Sequence, residues 1–337
     1  MINVALIGFG GIAQAAHAPA YMELAKQGKA RLVAACDICP ERFLEKMEIN
    51  IGGADKTYGE ALHQYVDWRE MLEKENIDMV DICLPTFLHA EVAIEVLKLG
   101  YHVLCEKPMS LSYELSQQMI NAANESGKKL MIGLCLRFSN PHNYVKKVID
   151  EKTFGDVKGA YFQRLSGPPV WAWENWYMDF ERSHGCILDM HIHDVDLARY
   201  FFGEPKSVSC VTGDVCCGKD IVHSRMMYEG FSAMAIGDWS LEGTQFNSDF
   251  RVQFERATVA CTNNVITVYP RGEEAYQPDI LENNCYQSEI EFFTDWINSD
   301  IENAVNPPES SAQTLNLAET LFASSEQNGA FLTFKTK

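Results

Sequence analysis

The sequence of 337 residues contains no apolar run near the ~20 residues that span a bilayer. Its start, MINVALIGFGGIAQ, lacks the basic stretch of a signal peptide and runs straight into a glycine cluster. Positive charge is scarce: 28 Lys and Arg face 47 Asp and Glu, for a formal net charge of −19. No Lys/Arg cluster offers the cationic face that nucleic-acid phosphates or anionic lipids require, which argues against both partners. The acidity fits a protein that stays in solution, and it leaves room for a small anionic ligand in a local cationic pocket. Internal repeats and low-complexity segments are absent. Cys36 and Cys39 have CxxC spacing without a second such pair, a weak zinc signal. The 11 cysteines form an odd set in a long chain, unlike a disulfide framework. Cys83, Cys105, Cys135, Cys186, Cys210 and Cys261 lie in apolar segments, where free Cys acts as a small hydrophobe. A reducing, cytoplasmic location is the expectation.

What is present is ordinary for a folded chain: 47% hydrophobic and 22% charged residues. At ~150 residues per domain, the length suggests about two domains. The first part alternates strand candidates (Asn3–Ile7, Arg31–Cys36, Met79–Leu84, His102–Cys105, Lys129–Gly133) with helix candidates (Ala13–Lys26, Pro40–Ile49, Trp68–Glu75, Ala90–Leu99, Ser112–Ser126). That alternation predicts βαβ units and a parallel sheet. After a helix at Pro141–Asp150 and a strand at Asp156–Leu165 comes a loop, Gly167–Glu174, and a helix, Ile187–Phe201. Six strand candidates between Ser207 and Tyr269 follow, which predicts a mainly antiparallel sheet. Helices at Ser288–Ser299 and Ser311–Gln327 and a strand at Phe331–Thr336 complete the chain. The pattern changes near residues 125–140, and the expected division is 1–128 and 129–337.

The run Gly8-Phe9-Gly10-Gly11-Ile12-Ala13 is GxGxxA placed after a strand and at the start of a helix. The first Gly allows the tight turn and the second lets backbone approach a pyrophosphate. The third small residue lets helix and strand pack closely. The helix N-terminus then presents unpaired N–H groups to the phosphates. Asp37, at the end of the next strand candidate, stands where an acidic residue binds ribose hydroxyls. Its charge repels a 2′-phosphate, so NAD is favoured over NADP, although Arg42 lies close in sequence. The ordinary alternative is a glycine turn in a Rossmann-like domain with no cofactor.

Leu84-Pro85-Thr86 and His89 follow the third strand candidate, where a doubly wound sheet binds ligands. His89 reads equally well as a residue capping its own helix. The next strand candidate ends at Glu106-Lys107-Pro108, which puts Lys107 in the crevice. A desolvated Lys beside a cationic nicotinamide can exchange a proton with a substrate hydroxyl. The alternative is a surface Lys. Further on, Asp189 and His193 are four residues apart and would share one helical face. Three readings stay open: acid–base catalysis by Asp189 and His193, a metal site from Asp189, His191, His193 and Asp194, or a buried polar helix. The metal reading needs His191 and His193 on one side, as on a strand.

Together, the glycine turn, Asp37, Glu106-Lys107-Pro108 and Asp189-x-x-x-His193 followed by Asp196-Leu197 resemble the Gfo/Idh/MocA oxidoreductases over essentially the whole chain. The resemblance implies an N-terminal NAD(P)-binding Rossmann domain. It also implies a C-terminal α+β domain, on a large, mainly antiparallel sheet, for substrate binding and oligomerisation. It implies hydride transfer between nicotinamide and a sugar, polyol or related hydroxyl. Lys107, Asp189 and His193 match the family's catalytic positions: Lys107 or His193 would handle the proton and Asp189 would orient them. Gly8, Phe9, Gly10, Gly11, Ile12, Asp37, Leu84, Pro85, Thr86, His89, Glu106, Lys107 and Arg137 are the cofactor-binding candidates. The Lys107–Pro108 bond is expected to be cis, no metal is expected, and a homodimer or homotetramer is implied. Two features depart from the family pattern: Ser183-His184-Gly185-Cys186 replaces a glycine-rich approach, and His191 replaces a small residue.

On the substrate side, Trp171, Trp173, Trp176, Tyr177 and Asp179 combine rings with polar groups, which suits a sugar. Trp173 and Trp176, with His193, are the substrate candidates; Arg164 and Tyr276 are further ones. The ordinary alternative is that two of these Trp are core residues. Two functional alternatives remain beside a dehydrogenase: a redox-neutral glycosidase or lyase that uses NAD transiently, and a non-catalytic sugar/NAD sensor.

Overall fold

The apolar run Ile2–Ile7 forms β1 at the centre of a six-stranded sheet. A computed structural model describes residues 1–49, 52–53 and 62–337. After β1, a π-helical turn, Ala13–His17, leads into α1 (Ala18–Lys26), and the chain returns as β2 (Ala30–Cys36). A short hairpin, β3 (Glu48–Ile49) and β4 (Gly52–Gly53), precedes β5 (His63–Tyr65). Then come α2 (Trp68–Lys74), β6 (Met79–Ile82), α3 (Thr86–Lys98), β7 (His102–Glu106), α4 (Tyr113–Ser126) and β8 (Leu130–Gly133). The sheet order is β5-β2-β1-β6-β7-β8, and every pairing is parallel. Helices cover both faces of such a sheet, so its inner strands β1, β6 and β7 are buried over most of their length. Local chemistry sets the helix ends. The Asp67 and Ser112 side chains cap the N-termini of α2 and α4. Gly127, at φ +66, stops α4 in the left-handed conformation that glycine tolerates.

The second sheet follows α5 (Asn140–Asp150) and begins with β9 (Val157–Leu165). Three short helices come next: α6 (Phe180–Ser183), α7 (Gly185–Asp189) and α8 (Ile192–Phe202). The strands β10 (Ser207–Gly213), β11 (Ile221–Met227), β12 (Ser232–Asp238), β13 (Asn247–Phe254), β14 (Ala257–Thr262) and β15 (Val265–Pro270) follow. The chain ends with α9 (Cys285–Ile297), α10 (Pro308–Ser325) and β16 (Leu332–Thr333). The order of this sheet is β15-β14-β13-β9-β12-β11-β10-β16, antiparallel except for the parallel pair β9–β12. Its strands alternate buried and intermediate or exposed residues, as in β11, because one face packs on a core. That core includes Phe162, Phe201, Val208, Val252 and Val259.

Two compact units result. One joins Met1–Cys135 to Asn284–Ala312, and the other joins Leu136–Asn283 to Gln313–Lys337. Among the described residues, no helix is long and apolar enough to cross a membrane.

Three elements differ from expectation. Pro40–Ile49 is not a helix: a 3-10 turn at Pro40–Phe43 ends quickly and Glu48–Ile49 is a strand. The Gln14 amide explains this, because it donates to Arg42 O (2.8 Å) and accepts from Met47 N (3.2 Å), giving this backbone non-helical partners. The helix expected at Ile187–Phe201 is two helices broken at Met190–His191. There the N–H groups of Met190 and His191 both reach Cys186 O, and the His191 ring is fixed by Ser224 Oγ at 2.8 Å. The final strand is confined to Leu332–Thr333.

Candidate functional site

In the first unit, β1 delivers the chain to Gly8, whose φ of +92 reverses it. A Cβ at Gly8 would sit 2.6 Å from the Cys83 carbonyl oxygen, so only glycine allows the turn to lie so close to β6. A Cβ at Gly10 would meet nothing described within 4 Å, which leaves that side of the turn open. Gly11 faces Ile49, and Ala13 is fully buried where the helix meets the strand. The N–H groups of Gly10, Gly11 and Ile12 lie at the start of the helical run, where intrahelical acceptors are lacking.

Asp37 ties the next strand end to this turn. One carboxylate oxygen accepts Phe9 N and the other Cys39 N, each at 2.8 Å. Burial raises its pKa, while those two N–H groups and Arg42 oppose the rise. Each oxygen retains acceptor capacity for a ribose hydroxyl. Gly8 to Ile12 and Asp37 are therefore brought together, and the open turn with its acidic partner fits a dinucleotide. Phe9 itself is buried and stacks on Phe43 at 4.9 Å, so its backbone faces the turn while its ring belongs to the core.

At the ends of β6 and β7, Leu84, Pro85, Thr86 and His89 meet the Glu106–Pro108 turn. The His89 ring nitrogens lie 2.7 Å from Leu84 O and 2.8 Å from Pro108 O, which links the two turns. Burial lowers its pKa. Thr86 is buried in the first turn of α3. The Lys107–Pro108 peptide is cis, Lys107 is half-buried, and its N–H donates to Glu106 Oε2 at 3.0 Å. Glu106 Oε1 meets His17 Nε2 at 2.9 Å, and His17 Nδ1 meets Asp81 Oδ2 at 2.7 Å. Sequence reasoning missed His17 and Asp81. The signal available was polar residues inside apolar segments, because a buried polar group needs a partner.

In the second unit, Asp189 ends α7 and His193 stands in the first turn of α8. They lie on consecutive short helices rather than on one, and both are half-buried. His191 is fully buried, and burial with the Arg164 charge lowers its pKa to about 3. Asp194 pairs with Arg164 (Nη2 to Oδ1, 3.0 Å), and both side chains are buried. The group of described residues with metal-ligand spacing is His17, Asp81 and Cys83, not the 189–194 segment. With His191 held by Ser224 and Asp194 by Arg164, those two residues face separate partners and do not converge on one ion. Arg137 forms a two-pronged pair with Asp196, Nε to Oδ2 at 2.9 Å and Nη2 to Oδ1 at 2.6 Å. Trp176 is buried against Tyr177 (3.9 Å between rings), whereas Trp173 is half-exposed beneath the Arg182 guanidinium.

Comparison with known proteins places these features. Residues 2–134 match a profile described as an oxidoreductase family, NAD-binding Rossmann fold, and residues 142–266 match the GFO/IDH/MocA C-terminal domain. Myo-inositol 2-dehydrogenase of Thermotoga maritima is 33% identical over 159 residues, 47% of this chain and 46% of that protein. The 2,7-anhydro-N-acetylneuraminate hydratase of Escherichia coli is 32% identical over 152 residues, 43% and 39% respectively. These matches thus span less than half of each relative. Among solved structures, aldose-aldose oxidoreductase from Caulobacter crescentus, complexed with glycerol, superposes with a TM-score of 0.84. It shares 20% identity over 99% of both chains, a likeness of fold. With both of its sheets in the order described and both profiles matched along its length, the chain belongs to the Gfo/Idh/MocA oxidoreductase family.

Proposed function

We propose that the protein is an NAD-dependent dehydrogenase acting on a CH–OH group of a sugar or polyol. The observation that carries this reading is the end of β7. Glu106 holds the backbone of Lys107 in the unit that also carries the open glycine turn and Asp37. Gly8 to Ile12 would hold the pyrophosphate and Asp37 the adenosine ribose, which favours NAD over NADP. Leu84, Pro85, Thr86 and His89 would line the same crevice. The bound dinucleotide supplies the centre that accepts or donates the hydride. Lys107 Nζ then takes the hydroxyl proton as the carbon is oxidised, or returns it on reduction. In the second unit, His193 offers an imidazole that can exchange a proton with a hydroxyl, and Asp189 orients that ring by charge. Trp173, half-exposed, supplies ring surface for the apolar face of a sugar, while Trp176 backs Tyr177 from the core.

The test is a panel of sugars and polyols followed at the NADH absorbance band. Lys107→Ala is expected to lower turnover by roughly 10²-fold or more while NAD affinity stays nearly unchanged. Equal loss of both would remove the role given to Lys107. A redox-neutral reaction is the second reading, favoured by the similarity to a hydratase. It predicts product release without NADH accumulation. We also place the chain in a reducing compartment, since all 11 cysteines are free thiols. Self-association through the eight-stranded sheet is supported by exposed Val211, Met234 and Tyr269 on one face.

A further inference from the structure

His17 is fully buried, and each of its ring nitrogens faces a carboxylate from a neighbouring strand end. A neutral imidazole carries one N–H, so only the protonated ring donates to both Asp81 and Glu106. Both distances lie near the range of charge-assisted bonds. The Tyr21 hydroxyl donates to the same Asp81 oxygen at 2.7 Å, and the Cys83 thiol reaches the other at 3.7 Å. Glu106 passes the arrangement on, because its second oxygen accepts Lys107 N. On the neighbouring strand, a Cβ at Gly133 would lie 3.1 Å from Glu106 Oε1.

The remaining ionisable groups of the unit around this ring come from several elements. Cys105 belongs to β7, Cys135 follows β8, and Cys285, Tyr286 and Glu289 belong to α9. Both Glu289 carboxyl oxygens are buried without a partner, and burial followed by the nearby Glu106 charge raises the pKa of that acid. Glu289 makes no ion pair with this group, and His17 stands between the Asp81 and Glu106 carboxylates. Burial, the largest single effect, would lower the His17 pKa, but Asp81 and Cys83 together outweigh it and the pKa is raised.

We infer that His17 is a positioning residue: as an imidazolium it clasps Asp81 and Glu106 and so fixes the turn that carries Lys107. The link to turnover rests on the dehydrogenase reading of Lys107; the clasp itself does not.

NMR of protein labelled with 15N-histidine tests the clasp without a substrate. One ring is expected to keep both nitrogens protonated at pH 8, above the ordinary histidine value of about 6.5. Tyr21→Phe removes the third donor at Asp81 and should shift that ring's signals alone, which identifies it in a folded protein. A neutral His17 ring at pH 8 overturns the inference, as does stoichiometric zinc, which would need the ring deprotonated. In His17→Gln, hydrogen exchange at the Lys107 amide is expected to quicken by about tenfold. Turnover should fall by roughly tenfold while KM and NAD affinity change by less than about threefold. Unchanged exchange or turnover overturns the positioning role. If His17→Gln does not fold, Tyr21→Phe carries the comparison: turnover about threefold lower with KM unchanged supports the role, and wild-type turnover overturns it. If the wild-type protein turns over nothing in the panel, the dehydrogenase reading falls. Ring protonation and amide exchange still decide on His17.

Discussion

The pair formed by Arg137 and Asp196 offers the sharpest quantitative test of the second unit. Their side chains are 4% and 2% exposed, and two parallel N–H···O bonds join them. Arg137→Met removes the cation and leaves Asp196 buried, with the Thr314 hydroxyl still donating at 2.7 Å. Breaking a buried pair from one side costs about 3–5 kcal/mol, because the remaining charge is uncompensated. Thr314 places the expected cost at the lower end, about 3 kcal/mol. At about 2–4 °C per kcal/mol for a unit of 150–250 residues, the melting temperature should fall by about 6–12 °C. Adding Asp196→Leu removes the stranded charge. The double variant should therefore recover most of the loss, since replacing both members of a buried pair is often nearly neutral. Differential scanning calorimetry on the wild type, both single variants and the double variant gives the coupling directly. A fall below about 2 °C for Arg137→Met would refute the reasoning, as would a double variant no better than the worse single. Parallel titration with NAD separates this structural loss from any loss at a cofactor contact.

Asp37→Ala is expected to narrow the gap between NAD and NADP affinity, read by titration with each; an unchanged ratio would count against the ribose contact. The Asp220 carboxylate is buried, which raises its pKa. The Trp239 indole, the N–H groups of Val215 and Cys216 and the Cys217 thiol outweigh burial and hold it at about 2. A depressed folded pKa gives stability that is full above the unfolded value of about 3.9 and is lost as pH falls towards about 2. Asp220→Asn should therefore melt lower at pH 7, by about 1–3 kcal/mol, yet lose less stability than wild type between about pH 4 and pH 2. Parallel acid limbs in the two proteins would sink the assignment. Gly8→Ala combines a φ of +92 with a Cβ 2.6 Å from Cys83 O. It should lower the melting temperature and abolish NAD binding, so a variant that binds like wild type contradicts the close packing of turn and strand.

Much of this architecture is legible in the sequence because it rests on local patterns. The parallel sheet follows from apolar runs bounded by glycine turns, and the late sheet from alternation between Ser207 and Tyr269. What escapes is set by distant partners. Nothing local shows that Gln14 will take the backbone of Arg42 and Met47, so Pro40–Ile49 keeps its helical pattern until that partner is seen. The break at Met190–His191 depends on a hydroxyl from β11. The His17 cluster draws its members from α9 and from the helix and strands of the first sheet, and only His17 and Asp81, polar residues in apolar runs, hint at it.

The first unit is completed by residues far along the chain. Lys29 pairs with Glu291 and Asp295, Lys129 reaches Trp296 O, and Asn306 donates to Ile132 O. During synthesis, the segment up to Cys135 leaves the ribosome without the helix that supplies Glu289 and Tyr286, and some 150 further residues follow before that helix emerges. Until then the buried side of its first helix and the ends of β7 and β8 are uncovered. A fragment stopped after the sixth strand of the first sheet is therefore expected to expose these surfaces, however complete its strand order. A minimal version of the first unit has to join residues 1–135 to 284–312 through a new linker.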